Sequence, residues 1–401
     1  MTTPPLPLDE AQALLLALVE PLRIEHVDPE GALGRYLAAP VLARRTQPAA
    51  TLSAMDGYAV GVDDMTGPWR IIGESAAGHP FAGTVRHGEA VRISTGAHMP
   101  FGAGAVVLQE DVSRDDDAVT LTGDGPVPPS KHLRPEGMDF RQGAPLLPAG
   151  TRIGPAQIAL TIAGGHKLLP VRRRPRLAIL DSGDELSADC ETCAPHQIPA
   201  SNGAMLAALA ASLPCETTRI GPVPDDLDAL AAALSRAEDA DVVVTSGGAS
   251  VGDHDLVRPA LEAWGATLDF WRVAIKPGKP ILVARRGPQL IIGLPGNPVS
   301  SHVTAFLFLL PVLRALLGAG EPLPRAIRTR LATPLAATGP RQEFPRAHWD
   351  GTRATAQSLQ DSGALSSLAA SNALIDRPAH AAAADAGDEV SIYLLESGGM
   401  A

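Results

Sequence analysis

Residues 241–299 hold the groups best suited to binding an anion. The stretch opens with Asp241-Val-Val-Val-Thr-Ser-Gly-Gly-Ala-Ser-Val-Gly-Asp253, passes through Ala274-Ile-Lys-Pro-Gly-Lys-Pro280 and closes with Gly293-Leu-Pro-Gly-Asn-Pro-Val-Ser300. The apolar run Val242 to Val244 reads as a buried strand that stops at Ser246, Gly247 and Gly248. A strand feeding a glycine turn and then a helix lets backbone N–H groups converge, and the helix N-terminus adds partial positive charge. Lys276 and Lys279 flank Pro277-Gly278, a turn that can present both ammonium groups to one ligand. Any one such turn is ordinary punctuation between a strand and a helix. Several at one sheet edge define a crevice for a phosphorylated or oxyanionic ligand.

Carboxylates stand near the expected strand ends. Asp56, Asp139, Asp184, Glu185, Asp225, Asp226, Asp253 and Asp255 are all placed in turns, where a cap or turn role is the simplest assignment. Glu185, Asp225 and Asp255 gain weight because each follows a strand of the same α/β unit. Oxygen donors beside an anion pocket are what Mg²⁺ requires when it bridges phosphates. The string Gly248-Ala-Ser-Val-Gly252 has a Gly-x-Ser-x-Gly spacing, yet Ser250 follows its strand by several residues. A nucleophile elbow needs the serine on the turn itself, so anion binding ranks above hydrolysis. Histidines show no His-x-x-x-His pairing, and Cys190-x-x-Cys193 has no matching second pair, so a histidine or zinc centre is not expected.

These groups need a scaffold. At 401 residues the chain is too long for one core, and 45% hydrophobic content with only 3% aromatic residues predicts aliphatic, alanine-rich cores. Residues 8–22 read as a helix, and residues 155–166 as another that packs with it. From Ser53 to about Leu121 short apolar runs alternate with Gly and Pro turns, the pattern of a β domain inserted between the two helices. After the run Arg172-Arg-Arg-Pro-Arg176, expected to be a solvated linker, strands and helices alternate as in a βαβ domain with a largely parallel sheet. There Asn202 is expected to cap a helix ending near Leu213, and Asp225 the next helix. The run Val303 to Leu317, with Pro311 inside it, reads as a buried helix. Short strands then form a small β domain. The expected division is 1–45 with 141–172 (helical linker), 46–140 (inserted β domain), 173–320 (βαβ) and 321–401 (C-terminal β).

A net charge of −11 argues against a nucleic-acid partner. Met-Thr-Thr-Pro-Pro lacks the features of a signal peptide, and three cysteines suit a reducing compartment; the expected location is the cytoplasm, with no membrane association.

Six segments taken together carry a resemblance: Ser53-Ala-Met-Asp-Gly-Tyr-Ala59, Ser94-Thr-Gly-Ala97, Ser182-Gly-Asp-Glu-Leu186, Thr245-Ser-Gly-Gly-Ala-Ser-Val-Gly252, Ile275-Lys-Pro-Gly-Lys-Pro280 and Gly293-Leu-Pro-Gly-Asn-Pro-Val-Ser300. In this order the chain resembles the molybdopterin molybdenumtransferases, the MoeA-type family that also includes the gephyrin E domain. The resemblance implies a four-domain subunit, a homodimer, and insertion of molybdate into adenylylated molybdopterin with release of AMP, supported by Mg²⁺. It implies a cleft between the βαβ domain of one subunit and the β domain of the other. Asp56, Thr95 and Asp139 would face it from the β domain, and Glu185, Asp225 and Asp255 from the βαβ domain, where they would hold the metal. Ser246, Gly247, Gly248, Ser250, Arg272, Lys276, Lys279, Pro295, Pro298 and Ser300 would contact substrate, with Lys276, Lys279 and Ser300 on molybdate. Arg346 and Ser371 resemble further oxyanion contacts. Molybdopterin adenylyltransferase and molybdoenzyme-maturation proteins are the implied partners. The alternatives are the adenylyltransferase itself, whose family lacks the Met55-Asp-Gly-Tyr58 domain, and a binding scaffold of the gephyrin kind. The chain departs from the family in three places. Ser-Thr-Gly-Asp-Glu is here Asp181-Ser-Gly-Asp-Glu185, a family lysine is Arg272, and Asp-Thr-Asn is Ala200-Ser-Asn202.

Overall fold

The valine- and isoleucine-rich runs of the central region assemble into one mixed sheet, seen in a computed structural model that describes residues 4–247, 256–278 and 280–395. Its strands are β1 (Arg176–Ser182), β2 (Glu216–Val223), β3 (Val242–Ser246), β4 (Thr267–Arg272), β5 (Pro280–Arg286) and β6 (Gln289–Leu294). Their spatial order is β2-β1-β3-β6-β5-β4. β2, β1, β3 and β6 run parallel, while β5 and β4 add antiparallel at one edge. Both faces of this sheet are covered, which is why its strands are apolar on successive residues instead of alternating. Leu177, Ile179, Val242 and Val244 face one core; Ala178, Leu180 and Val243 face the other.

The helices α1 (Asn202–Ala210), α2 (Leu227–Ser235), α3 (Val257–Ala263) and α4 (Pro298–Leu316) complete the unit. α4 is long and apolar enough to cross a membrane by length and composition, but 89% of it is buried inside the protein. It runs through Pro311 by a π-turn at Ala305–Leu309. Pro311 lacks the N–H that would reach the carbonyl of Leu307. Gln12 fills that gap: its Nε2 donates to Leu307 O at 2.8 Å in a buried setting.

That contact relocates the N-terminal helix. It covers Leu8–Ala17, not 8–22, and packs Leu8, Ala11 and Leu15 against α4 in the largest core. The helix Pro155–Ala163 lies elsewhere, with Ile158 and Leu160 against Leu37, Val41 and Leu169. The expected pairing of these two helices is therefore replaced by helix-on-core packing, because the longer apolar surface belongs to α4.

The inserted β unit hangs on three antiparallel ribbons: Ile24–Val27 with Leu169–Arg172, Val41–Leu42 with Pro145–Leu147, and Leu52–Ser53 with Leu133–Arg134. The chain thus runs out and back along the same path. At its end stands a six-stranded sheet in the order Ala105–Leu108, Gly57–Val60, Glu89–Ile93, Trp69–Ser75, Ala118–Leu121, Val112–Asp115. The C-terminal region closes into a five-stranded barrel of Ile327–Leu331, Arg353–Ala356, Arg346–Trp349, Ala373–Asp376 and Glu389–Leu394.

The arginine run is not a solvated linker. Arg172 lies in a ribbon strand and donates to Leu22 O at 2.8 Å. Arg173 grips Asp241 with both terminal nitrogens, at 2.8 and 2.5 Å. A planar guanidinium suits this two-point hold.

Candidate active site

β1, β2, β3 and β6 end on one side of the sheet, and α4 starts there after Gly293-Leu-Pro-Gly-Asn297. Two cavities flank the start of α4. They are separated by a seam in which Asn297 Nδ2 donates to Ser362 Oγ at 3.1 Å and Val299 N donates to Ser362 O at 3.1 Å.

The first cavity, of about 380 Å³, is lined by Lys276, Pro277, Gly278, Ser300, Arg341, Glu343, Gln360, Asp361 and Ser362 among others. Lys276 is placed by a two-residue strand, Ile275–Lys276, which pairs in parallel with Gln342–Glu343. Its Nζ stands 3.2 Å from Glu343 Oε1. An ammonium has three donors, so this contact aims the group without using it up. Gly278 adopts φ +110°, and a Cβ there would meet Thr304 Cγ2 at 2.4 Å. Only glycine lets the turn after Lys276 lie this close to α4. Lys276 and Arg341 bring two cations to this cavity beside the start of α4, and Glu343 and Asp361 bring two carboxylates that brace them.

The second cavity, of about 400 Å³, is lined by Asp181, Ser182, Glu185, Leu186, Ile198, Pro199, Ala200, Asn202, Ser246, Gly247, Gly296, Asn297, Pro298 and Leu365 among others. Among the described residues lining it none is a lysine or arginine. Asn202 is the first residue of α1 and not its cap. Its amide donates instead to Ser246 Oγ at 2.9 Å and Gly296 O at 2.6 Å, tying α1 to β3 and to the loop before α4. Asp181 is 4% exposed and accepts from Gly203 N at 3.1 Å through Oδ2. Burial pushes its carboxyl up to about 6, against the lowering effects of Gly203 N–H and of Arg219.

Glu185 lies at the rim of this second cavity and is exposed. The neighbouring Asp184 accepts from Asp225 N at 3.1 Å, which brings Asp225 to the same loop cluster. The cap of α2 is Asp226, not Asp225: its side chain accepts from Ala229 N at 2.9 Å. No three acidic, histidine or cysteine side chains are grouped for a metal among the described residues. The donors present are exposed carboxylate oxygens, the type a hydrated Mg²⁺ shared with a phosphate takes up.

Other expected residues are spread more widely. Pro295 is buried in the loop before α4, and Arg272 ends edge strand β4; neither lines the two cavities. Asp56 and Thr95 meet on the β domain, where Thr95 donates through N at 2.6 Å and Oγ1 at 3.0 Å to Asp56 Oδ1. These bonds hold the Asp56 carboxyl below its usual range. Asp139 is exposed. Asp56, Thr95 and Asp139 line neither cavity of their own chain. Gly248, Ser250, Asp255 and Lys279 lie outside the described residues.

Arg346 is fully buried. Its Nε donates to Ser367 Oγ at 3.1 Å and its Nη2 to Leu359 O and Asp361 O at 2.8 and 3.0 Å. Those bonds shape the loop 359–361 that walls the first cavity. Ser371 Oγ donates to Ser367 O at 2.7 Å, reaching back onto the helix Leu365–Ala369 from just past its end. Both residues thus serve the wall in this structure. Glu343, Gln360 and Asp361 went unnoticed in the sequence; the turn-forming run Gln360-Asp361-Ser362-Gly363 was the available signal.

A second kind of cavity marks the opposite edge of the sheet. It measures about 460 Å³ and includes Leu18, Leu22, Arg173 and Asp241. Arg173 and Asp241 pair with each other there, and Glu20 and Arg285 also line it.

Fold and site together define an α/β protein with two cavities at the C-terminal ends of its parallel strands, an inserted β unit and a terminal barrel. Residues 6–165 match the MoeA N-terminal region (domain I and II), residues 178–315 the probable molybdopterin binding domain, and residues 328–395 the MoeA C-terminal region (domain IV). The chain is 36% identical over 332 residues to the molybdopterin molybdenumtransferase of a Nostoc species, covering 80% of this chain and 76% of the relative. It is 34% identical to that of Haemophilus influenzae, covering 78% of each. The structure superposes on the molybdopterin biosynthesis moeA protein of Pyrococcus horikoshii with a TM-score of 0.84 and 28% identity, over 98% of this chain and 100% of the other. The chain belongs to the molybdopterin molybdenumtransferase family.

Proposed function

We infer that this chain is a transferase that inserts molybdenum into molybdopterin. The observation that carries the reading is the pair of cavities around the start of α4, one holding Lys276 and Arg341 and one with no lysine or arginine among its described lining residues. A substrate with an oxyanion at one end and a neutral ring system at the other needs that division.

The finer reading takes adenylylated molybdopterin and molybdate as substrates. Lys276, Arg341, Ser300 and the first turn of α4 hold molybdate, with Lys279 as the expected second ammonium. Glu343 keeps Lys276 aimed. An oxygen of molybdate or water attacks the phosphorus of the phosphoanhydride and the bridging P–O bond breaks to release AMP; each dithiolene sulfur then replaces an oxygen of molybdate, which leaves with the thiol protons as water. Glu185 and Asp225, with Asp255, would hold Mg²⁺, which when bound neutralises charge on the phosphates.

A homodimer is part of this reading. Asp56, Thr95 and Asp139 line neither cavity of their own chain, which suits a cleft completed by a second copy. The setting we propose is the cytoplasm, between a molybdopterin adenylyltransferase upstream and molybdoenzyme-maturation proteins downstream.

The test is incubation of the chain with adenylylated molybdopterin, Mg²⁺ and molybdate, following AMP by chromatography. AMP release that requires molybdate supports the reading; no release above a protein-free control removes it.

A further inference from the structure

At the C-terminal edge of the sheet, three buried side-chain oxygens have no hydrogen-bond partner among the described residues: Asp181 Oδ1, Ser182 Oγ and Thr245 Oγ1. Asp181 and Ser182 both line the second cavity. Leaving a buried acceptor unmatched is costly, and a carboxylate oxygen costs more than a hydroxyl. An orphan at Asp181 is therefore the one most in need of an external donor.

The simplest structural account is that Asp181 caps α1. That account covers one oxygen only. Oδ2 takes the Gly203 N–H at 3.1 Å. The approach is built in, since a Cβ on residue 203 would sit 2.1 Å from Oδ2. A serine or asparagine would serve as well for capping alone, without a second buried oxygen. Nor can Asn202 match Oδ1, because its amide is already held by Ser246 and Gly296. Among the described residues lining the cavity none is a lysine or arginine, and a ligand in the cavity can bring the donor that Oδ1 lacks.

The cavity specifies what kind of ligand. Asp181 and Glu185 disfavour an anion there. Leu186, Ile198, Pro199 and Leu365 offer apolar surface to a flat ring. We propose that Asp181 is a specificity-determining residue that accepts an N–H from the exocyclic amine edge of a 2-amino-4-oxopyrimidine ring, the pterin end of the substrate. The inference rests on the transferase reading for the identity of that ring. It concerns the residue by which this chain departs from the family motif Ser-Thr-Gly-Asp-Glu.

The experiment titrates the full chain with two small probes and follows their fluorescence. Pterin carries the 2-amino group; lumazine carries a carbonyl in its place. The wild-type chain is expected to prefer pterin about tenfold or more, the size of one charge-assisted hydrogen bond. Asp181→Ser keeps a hydroxyl near Gly203 N and abolishes the preference. Asp181→Asn keeps an oxygen for Gly203 and turns its NH₂ into the cavity, so the preference vanishes or reverses. Thermal melting confirms that each variant is folded, and the ratio of affinities is insensitive to a uniform loss of binding. A wild-type chain that binds neither probe, or does not distinguish them, overturns the proposal, as does a ratio unchanged in both variants. Absence of AMP release with the ratio intact would count against the transferase reading alone. AMP release with a ratio indifferent to Asp181 would count against this inference alone.

Discussion

The two cavities beside α4 share a wall yet have opposite chemistry. Lys276 and Arg341 stand in the first, against Glu343 and Asp361; the second has Asp181 and Glu185 and no lysine or arginine in its lining. The first is built from a turn and the barrel's loops, and its polar groups are braced by one another, as in Lys276 with Glu343. The second is built from strand ends, and its polar groups include buried atoms left without partners. The difference teaches that charge and unmet hydrogen bonding are separate means of recognition. An oxyanion is drawn by net positive potential; a neutral ring is selected by the acceptor it alone can satisfy.

The sharpest way to break this division is to collapse one wall. Arg346→Ala removes three hydrogen bonds at a fully buried site and is expected to cost about 3 kcal/mol of stability. Urea unfolding measures this. Molybdate binding should weaken in the folded fraction while the pterin-to-lumazine ratio holds. A loss below about 1 kcal/mol would show that loop 359–361 does not depend on Arg346.

Lys276→Ala comes next. Loss of one charge-assisted contact to an oxyanion should weaken molybdate binding roughly 10- to 100-fold, read by calorimetry. Pterin affinity should change less than about twofold. Equal losses for both ligands would merge the two cavities into one site.

The pH dependence of stability separates the same two regions more finely. The Asp181 carboxyl is raised to about 6 from 3.8 by burial, so between these values the folded chain holds more protons than the unfolded one. Its contribution to stability falls as pH rises through that window. His302 of α4 is lowered to about 4 from 6.5 by burial, so there the unfolded chain holds more protons. Its contribution rises with pH over 4 to 6.5. The two slopes oppose. Asp181→Asn should leave a profile that rises from pH 4 to 6, and His302→Gln one that falls, each by on the order of 2 kcal/mol. Denaturant melts at stepped pH read the signs, and identical profiles for the two variants would contradict them.

The smallest effect belongs to Ser371→Ala. Its hydroxyl reaches back to a carbonyl of the helix that ends just before it, so stability should shift by no more than about 0.5 kcal/mol and molybdate affinity should stay within about twofold. A tenfold loss of affinity would restore Ser371 as an oxyanion contact.

Much of the central unit was legible in the residues. Val242 to Val244, Arg176 to Leu180 and the glycine turns after them announce buried strands and an open edge, because those signals are local. Lys276 and Ser300 stand out for the same reason, and both line the first cavity. What was not legible depends on contacts far apart in sequence. The N-terminal helix follows a carbonyl orphaned by Pro311, a demand visible only once α4 is folded. Arg346 looks like a ligand-binding arginine until the loop 359–361 closes over it. Asn202 looks like a cap, but it bridges α1 to β3 across 44 residues. The meaning of Asp181 likewise emerges only when Gly203 takes one oxygen and leaves the other.

The central claim is that the oxyanion belongs with Lys276 and the ring with Asp181. Crystals of the protein soaked in molybdate, with the metal located by anomalous scattering, test it most directly. The account predicts molybdenum in the cavity of Lys276, Arg341 and Ser300. Molybdenum beside Asp181 and Asn202, with the Lys276 cavity empty, would contradict it.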